Sequence, residues 1–586
     1  MLGILAALPV GLSADEPHRS PVAVAVRPGT TEALTANSTA GSVSWINWSS
    51  GQVIQELTVG SRPWDVKWID ANRAIVALAD ADQVAVLTWP DSKGEIQRKV
   101  IDIGDEPSAL AISPREGIAY VALTGTDEVA ELDVSTGNVL RRFATGGLPR
   151  SVAISPKGEW LITCSNVPGE VTVHDLATGE LLSRRKIFDD GFNLGHPAIT
   201  ADSTKLILPH IVNRGFAVTR GNIEIGWVLD NRVTRLPLPA GEKSDQQQMG
   251  LDIRHDAVGD VHQALLNSDE TQLVVSASGT HELLVLRFQD IPWPPGDSGD
   301  FAPKELRNAP DRYRRIKLGG RPLGIAWASP TSLLVANGHR DSIQVVDLTN
   351  DSIANEIALG GPATPSPARL GEMVFTDADW SLHSWYSCQT CHPSGGTAGQ
   401  TFDTRNDGGY GLPKLIPPLT GVAQTGPWTW HGWQKDLSGA MKVSLEESMS
   451  TTRAITDHEA EVLVAYLETL KPPVSPHRQP DGSLTPLAEA GRELFVGKAA
   501  CADCHAGDTF TTDDVFRVGL EGSRDRYKGY NPPSLRGLHA RRRFLHDGRA
   551  RSVEEVLREW HKPEELNGAA LTDDEREALI AYLNSL

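Results

Sequence analysis

Seven times in roughly the first 360 residues the sequence restarts with the same pattern. A proline or its stand-in opens the unit, and an alternating apolar stretch, a polar turn and a second such stretch follow. The clearest copies begin at Pro21, Pro63, Pro107 and Pro149, and weaker ones at Pro197, His262 and Pro322. A third stretch follows, as at Val43 to Asn47, Val129 to Val134, Val171 to Leu176 and Ile343 to Leu348. A fourth leads into the next unit through Gly-x-x-Pro, as in Gly60-Ser61-Arg62-Pro63 and Gly319-Gly320-Arg321-Pro322. Strict alternation over so few residues is the period of a half-buried strand. A four-stranded unit cannot bury both faces alone, whereas a closed ring of such units can. Residues 18–361 are therefore expected to form an all-β seven-bladed propeller.

The strand pattern stops at the proline-rich stretch Gly361 to Ala368, and the chain turns helical. One plan then appears twice. The first copy, 362–474, runs from an amphipathic helix at Ala368 to Thr376 through Cys388-Gln389-Thr390-Cys391-His392 to a closing helix at Thr456 to Leu470. The second, 484–586, runs from Leu484 to Phe495 through Cys501-Ala502-Asp503-Cys504-His505 to Thr572 to Leu583. Both closing helices carry apolar residues at i, i+3, i+4 and i+7, so each packs one face inward. Lys471 to Ser483 is the linker.

The CxxCH spacing has a direct chemical meaning. Two thiols one turn apart can add to the two vinyl groups of a haem, and the adjacent histidine then lies under the iron. Two such motifs, each in the same helical setting, point to two covalently bound c-type haems on Cys388, Cys391, Cys501 and Cys504, with His392 and His505 proximal. The expected architecture is thus multidomain: a β-propeller followed by two all-α cytochrome c-like domains. For the sixth ligands, methionine raises the potential and histidine lowers it. Met441 and Met449 are the methionines after His392, and Met449, just before the closing helix, is the candidate for the first haem. The second domain has no methionine, and His561 stands where a ligand loop would. An open iron, water, His546 or His539 are the alternatives there.

A net charge of −20 disfavours nucleic acid as a partner. No stretch reaches the roughly 20 apolar residues of a membrane helix. Leu2 to Leu12, before Ser13-Ala14-Asp15, resembles the core and cleavage end of a secretory signal, although the usual basic start is missing. Residues 1–14 are read as the remnant of such a leader, with an exported, periplasmic location. Of five cysteines, Cys164 is left outside the CxxCH motifs and is expected as a small buried hydrophobe in a strand. His18, His196, His210, His262 and His339 recur near strand ends. They are read either as a converging copper or zinc site or as polar lining of the propeller mouth.

The repeats resemble the YVTN-type propellers of bacterial surface and periplasmic proteins. The doubled haem region resembles the bacterial di-haem cytochrome c peroxidases and their relatives that mature the methylamine dehydrogenase cofactor. The resemblance rests on Pro533-Ser534-Leu535-Arg536, on Phe544-Leu545-His546-Asp547-Gly548 and on Val553-Glu554-Glu555-Val556. It implies a peroxidase-like oxidoreductase that takes electrons from a small cytochrome or cupredoxin and reduces hydrogen peroxide, or oxidises another substrate with the haem so activated. It also implies a calcium ion between the domains, and places His546 and its counterpart His431 in the wall near the haems. Glu446 and Glu447 are candidates for an acidic group beside the peroxide site. Trp430, with Trp428 and Trp433, is the candidate electron relay. A methionine on the first haem departs from the family pattern, which places it on the second. The rival reading is a non-catalytic electron-transfer protein whose propeller binds a partner.

Overall fold

A computed structural model of the chain describes residues 17–586 apart from 91–93, 188–189, 240–244, 295–298, 406–407, 523–524 and 526–527. The leader-like segment 1–14 lies outside the described residues.

Seven antiparallel sheets follow one another along the chain, the first built from Pro21–Val26, Glu32–Asn37, Ser42–Asn47 and Gln52–Thr58. Six have four strands in sequential order; the fifth has five, because its inner edge is split into Gly191–Phe192 and Ala198–Ile199. That split is why the copy at Pro197 is weak in the sequence. The innermost strands sit side by side around a central channel, and the ring closes where Pro21–Val26 meets Pro322–Ser329. A left-handed residue marks the start of each innermost edge: Ser20, Arg62, Glu106, Asp260 and Gly320 stand just before their strands, Leu148 is the second residue of Gly147–Ile154, and Asn193 lies between the two pieces of the split edge. These turns cost backbone strain and ring the channel mouth. Outer strands such as Gln52–Thr58 and Ser352–Ala358 face water.

The apolar cores lie between blades. Leu34 and Val43 of the first blade meet Val66 and Val76 of the second, and Ala33 and Ile46 meet Leu334 and Ile343 of the seventh. Cys164, fully buried in Trp160–Val167, belongs to the core between the fourth and fifth blades, and burial pushes its thiol up to about 12.

Four helices build the two cytochrome units. These are α1 (Pro367–Phe375), α2 (Asp457–Leu467), α3 (Pro486–Val496) and α4 (Asp573–Asn584). Ser366 and Thr485 cap α1 and α3, each followed by a proline at the first helical position, while Thr456 and Thr572 form capping boxes with Glu459 and Glu575. The threonines expected to open the closing helices are thus their caps. Helices α1 and α2 cross at Gly371, where a Cβ would lie 1.9 Å from the Val462 carbonyl oxygen; α3 and α4 cross at Gly491, 2.0 Å from that of Ala578. Phe375 packs on Tyr466 and Phe495 on Tyr582, with ring centroids 5.1 and 5.4 Å apart.

The two units meet the propeller differently. Phe192, Ile207, Met249 and Leu273 of the fifth and sixth blades form one continuous core with Phe375, Trp385, Tyr386 and Met449 of the first unit. The second unit keeps its own core of Phe495, Phe544, Leu557, Leu579 and Tyr582.

The five propeller histidines do not converge, which corrects the copper or zinc reading. His18 Nδ1 lies 2.5 Å from Asp341, His339 Nε2 3.1 Å from the Thr376 hydroxyl, and His210 Nε2 2.6 Å from the Thr234 hydroxyl. His196 and His262 pack ring against ring. Among the described residues, the one trio spaced for a metal ion is His281, Asp377 and Asp379. The Arg453 guanidinium stands 3.5 and 3.7 Å from its two carboxylates and supplies the positive charge there.

Candidate haem centres

The first attachment motif is one α-helical turn, Cys388–Cys391, capped by Ser387 with Thr390 as reciprocal partner. The second is a tighter turn, Cys501–Asp503, entered through left-handed Ala500. In both, the histidine N–H donates to the carbonyl of the first cysteine at 2.9 Å. All four cysteines are free. Burial pushes Cys388 and Cys501 up to about 12 and raises Cys391 and Cys504, so all are neutral thiols. Burial also pulls His392 and His505 down to about 4, which leaves neutral imidazoles with a lone pair for iron.

Backbone carbonyls meet each proximal ring at matching places, Gly396 and Pro417 at His392, and Phe510 and Pro533 at His505. At His505 one of them is a full hydrogen bond, Nδ1 to the Phe510 oxygen at 3.1 Å. At His392 the carbonyls act from farther away, and Nδ1 has no partner within hydrogen-bond geometry. Pro417 and Pro533 each stand four residues before a left-handed glycine, Gly421 and Gly537. Thiols, neutral imidazole and carbonyl acceptors together fit covalent haem c in both units.

Met449 and His561 occupy one structural position twice. Leu437–Val443 runs into a π-turn, Ser444–Ser448, and Met449 caps it. Val553–Glu555 runs into a π-turn, Val556–Trp560, and His561 caps it. Such turns concentrate at functional sites. Met449 is 4 % exposed, shares the core that Cys388 and Cys391 border, and is pinned by the Leu382 N–H on its carbonyl at 2.9 Å. Met441 lies at the edge of that core. His561 stands near enough to His505 for its charge to depress it further. Burial lowers His561 itself, and its buried Nδ1 has no partner. Of the alternatives, His539 packs on His477 of the linker, and His546 is stacked on Tyr530.

A polar wall joins the two units. Tyr530 is sandwiched between His431 and His546, with centroids 4.9 and 4.5 Å away and planes inclined by 23° and 25°. Its hydroxyl donates to Asp525 at 2.9 Å, and Asp525 also pairs with buried Lys414 at 2.9 Å. Burial lowers His431 and brings His546 to about 4, so both rings are neutral. Trp430 stands edge-on to His546 at 6.3 Å and donates to the Leu415 carbonyl, while the Trp428 N–H donates to that of Val422. The half-buried Trp433 lies on the same segment.

Two readings change. Isolated bridges pair Trp428 with Gln434 and Phe544 with Ala550, and left-handed residues follow at Thr429 and Leu545 and again at Gly432 and Gly548. This register matches Trp430, not His431, with His546. Glu446 is exposed and Glu447 pairs with exposed Arg405 at 3.2 Å, so neither stands as the acid beside an iron. Tyr530, Asp525 and Lys414 escaped the sequence reading because nothing in their spacing links them; His431 and His546 were its visible flanks.

A cytochrome c family model matches residues 488–586. Hydrazine synthase subunit gamma of Kuenenia stuttgartiensis is 27 % identical over 278 residues, 37 % of this chain and 77 % of that protein. Methylamine utilization protein MauG of Methylorubrum extorquens is 25 % identical over 38 % of this chain and 79 % of its own length. Cytochrome c551 peroxidase of Nitrosomonas europaea is 23 % identical over 38 % and 81 %. A solved Kuenenia stuttgartiensis hydrazine synthase chain superimposes with a TM-score of 0.50 over 58 % of this chain and 99 % of that one at 22 % identity, a likeness of fold. With two CxxCH units of one plan beside a seven-bladed propeller, the chain is a propeller-linked relative of the di-haem cytochrome c peroxidase family.

Proposed function

We propose that this protein is an exported di-haem oxidoreductase of peroxidase type. It would accept electrons from a small cytochrome or cupredoxin and reduce hydrogen peroxide, or direct the same oxidising power at another substrate. The haems would supply one-electron redox chemistry and, at an open iron, cleavage of the peroxide O–O bond. Cys388, Cys391 and His392 would hold the first, and Cys501, Cys504 and His505 the second. The carrying observation is the unequal pair at one structural position, buried and pinned Met449 against unpartnered His561. Metal-bound histidines are normally fixed through their other ring nitrogen. His505 has that acceptor, whereas His561, which unlike His392 is not held by an adjoining pair of cysteines, has none. We assign the stable, high-potential store to the first unit and the site that opens to peroxide to the second. His561, a buried neutral imidazole, would be the group in the second unit able to hold and return a proton. His431, Tyr530, His546 and Trp430 hold the two units in register along the path between them.

The test is an absorption and paramagnetic-resonance titration of oxidised and half-reduced protein with peroxide. The expected result is one low-spin haem that never reacts beside a second that becomes high-spin and peroxide-reactive. Two low-spin, peroxide-inert haems in both redox states would overturn the reading and leave an electron-transfer protein.

A further inference from the structure

The propeller channel narrows to a cavity of about 110 Å³ under the loop that carries the first CxxCH motif, with Gln389 in its lining. Lys67, Arg150, Arg321, His196 and His262 also line it. The acids on the same wall are already committed. Asp65 accepts from the N–H groups of Val66 and Leu110 at 2.8 and 2.9 Å and from Lys67 Nζ at 2.7 Å, which neutralises that lysine. Asp260 accepts from the Ser387 and Thr390 hydroxyls, both at 2.5 Å, and the charge of Arg321 acts on it from farther away.

Two guanidinium groups remain. Arg150 has no hydrogen bond or ion pair with a described residue; Glu106 acts on it only at long range and pairs with Arg62 at 3.7 Å. Arg321 reaches one carboxylate, Glu372, at 3.6 Å, and its buried Nε has no partner. The two repel each other, and burial together with that repulsion lowers Arg150 from the usual guanidinium range. His196 is pulled to about 4 and His262 well below its usual value, mainly by burial. Both rings are therefore neutral, each with an N–H to donate. A half-enclosed cavity with one unpaired guanidinium, a second met only by Glu372 at 3.6 Å, and neutral donors is suited to a further negative charge. Its volume suits several waters or one small anion.

We propose that this cavity binds one small oxyanion, a carboxylate or a phosphate-like ion, held between Arg150 and Arg321, with His196 and His262 as donors and Gln389 closing it from the haem side. The anion ties four blades to the first haem loop. The site does not depend on the redox reading above.

The test uses intact di-haem protein in chloride buffer at fixed ionic strength, titrated separately with sodium phosphate and sodium acetate by calorimetry and thermal unfolding. The expected result is saturable binding with a rise in the unfolding midpoint. Preference for phosphate assigns an inorganic oxyanion, and preference for acetate an organic acid. Arg150→Gln and Arg321→Gln each weaken binding about tenfold or more, and Arg150→Gln does not lower the midpoint in chloride, because it removes a cation that has no ion pair. Gln389→Glu, which sets a fixed negative charge at the rim, weakens binding about as much and serves if an arginine variant folds poorly. A response that only follows ionic strength, or one that survives these variants unchanged, overturns the proposal.

Discussion

The two cytochrome units differ less in fold than in what surrounds them. Both cross their first and last helices at a glycine, anchor a neutral histidine with backbone carbonyls and place a ligand candidate at the end of a π-turn. The first is built into the propeller. Its core continues into two blades, Ser387 and Thr390 donate to Asp260, and the Asn193 amide donates to the Thr390 carbonyl at 2.7 Å. The second has a separate core and an exposed Asp503 inside its motif, and it meets the propeller through Arg542, which grips Asp127 at 2.6 and 2.9 Å. One unit repeated in two environments thus yields one centre whose core continues into the propeller and one whose core is its own.

The comparison breaks most visibly at the thiols. Cys501→Ser with Cys504→Ser should remove one of two haems and leave the first with its spectrum unchanged, because the cores are separate. Cys388→Ser with Cys391→Ser should remove the other and also lower the unfolding midpoint of the propeller, because that core is shared. Haem content by pyridine haemochrome, set beside calorimetry, checks both. Equal losses of stability from the two pairs would show that the first unit is as independent as the second.

Exchanging the ligand candidates sharpens the contrast. Met449→His should lower the potential of the first haem by a sizeable part of the roughly 0.8 V that axial ligands command. His561→Met should raise that of the second and suppress its reaction with peroxide. Spectroelectrochemistry resolves the two waves; unchanged potentials in either variant would remove that residue from the iron.

Much of this plan was legible in the sequence, because alternation, CxxCH spacing and capping threonines are local signals. Seven sheets lie where the repeats stood, and the helix ends moved by only a residue or a few. What stayed hidden depends on contacts between distant segments. Asp260 faces Thr390 across 130 positions, and Arg542 faces Asp127 across 415. The match of Trp430 with His546 was missed because two histidines, each followed by glycine or aspartate-glycine, invite alignment, whereas the left-handed residues that fix the register leave no mark a reader would weigh. Met449 and His561 were singled out by their distance from the closing helix, but the π-turn that gives them one structural position exists only in the folded chain.

Substitutions at the two attachments should follow their burial. Asp260→Ala removes two charge-assisted hydrogen bonds from a buried site and should cost ~2–4 kcal/mol, with faster proteolysis near Ser387. Arg542→Ala cuts a half-buried ion pair and should cost about 1 kcal/mol, freeing the second unit while the first stays fixed. Denaturant unfolding followed at the two haem bands measures each. A larger loss from Arg542→Ala than from Asp260→Ala would reverse the assignment of rigid and loose attachment.

The last effect lies beside that looser contact and depends on pH. Asp105 is raised to about 7 by burial and by the neighbouring charges of Asp82 and Glu106, with Arg542 pulling the other way. Gly125 lies against the Asp105 carboxyl, and its carbonyl accepts from Arg542 at 3.0 Å. An acid whose folded pKa is raised holds its proton longer when folded. Its contribution is full below the unfolded value, about 3.9, and is lost as pH rises through about 7. Asp105→Asn removes the titration. The unfolding midpoint of the variant should therefore gain on that of the native chain from pH 4 upward, and the gap should level off above about 7. In an Arg542→Ala background the compensating charge is gone, the pKa rises further, and the gap should keep widening to higher pH. A gap that is constant with pH would mean that Asp105 is ionised throughout, so that the seam between propeller and second unit is wetter than its packing implies.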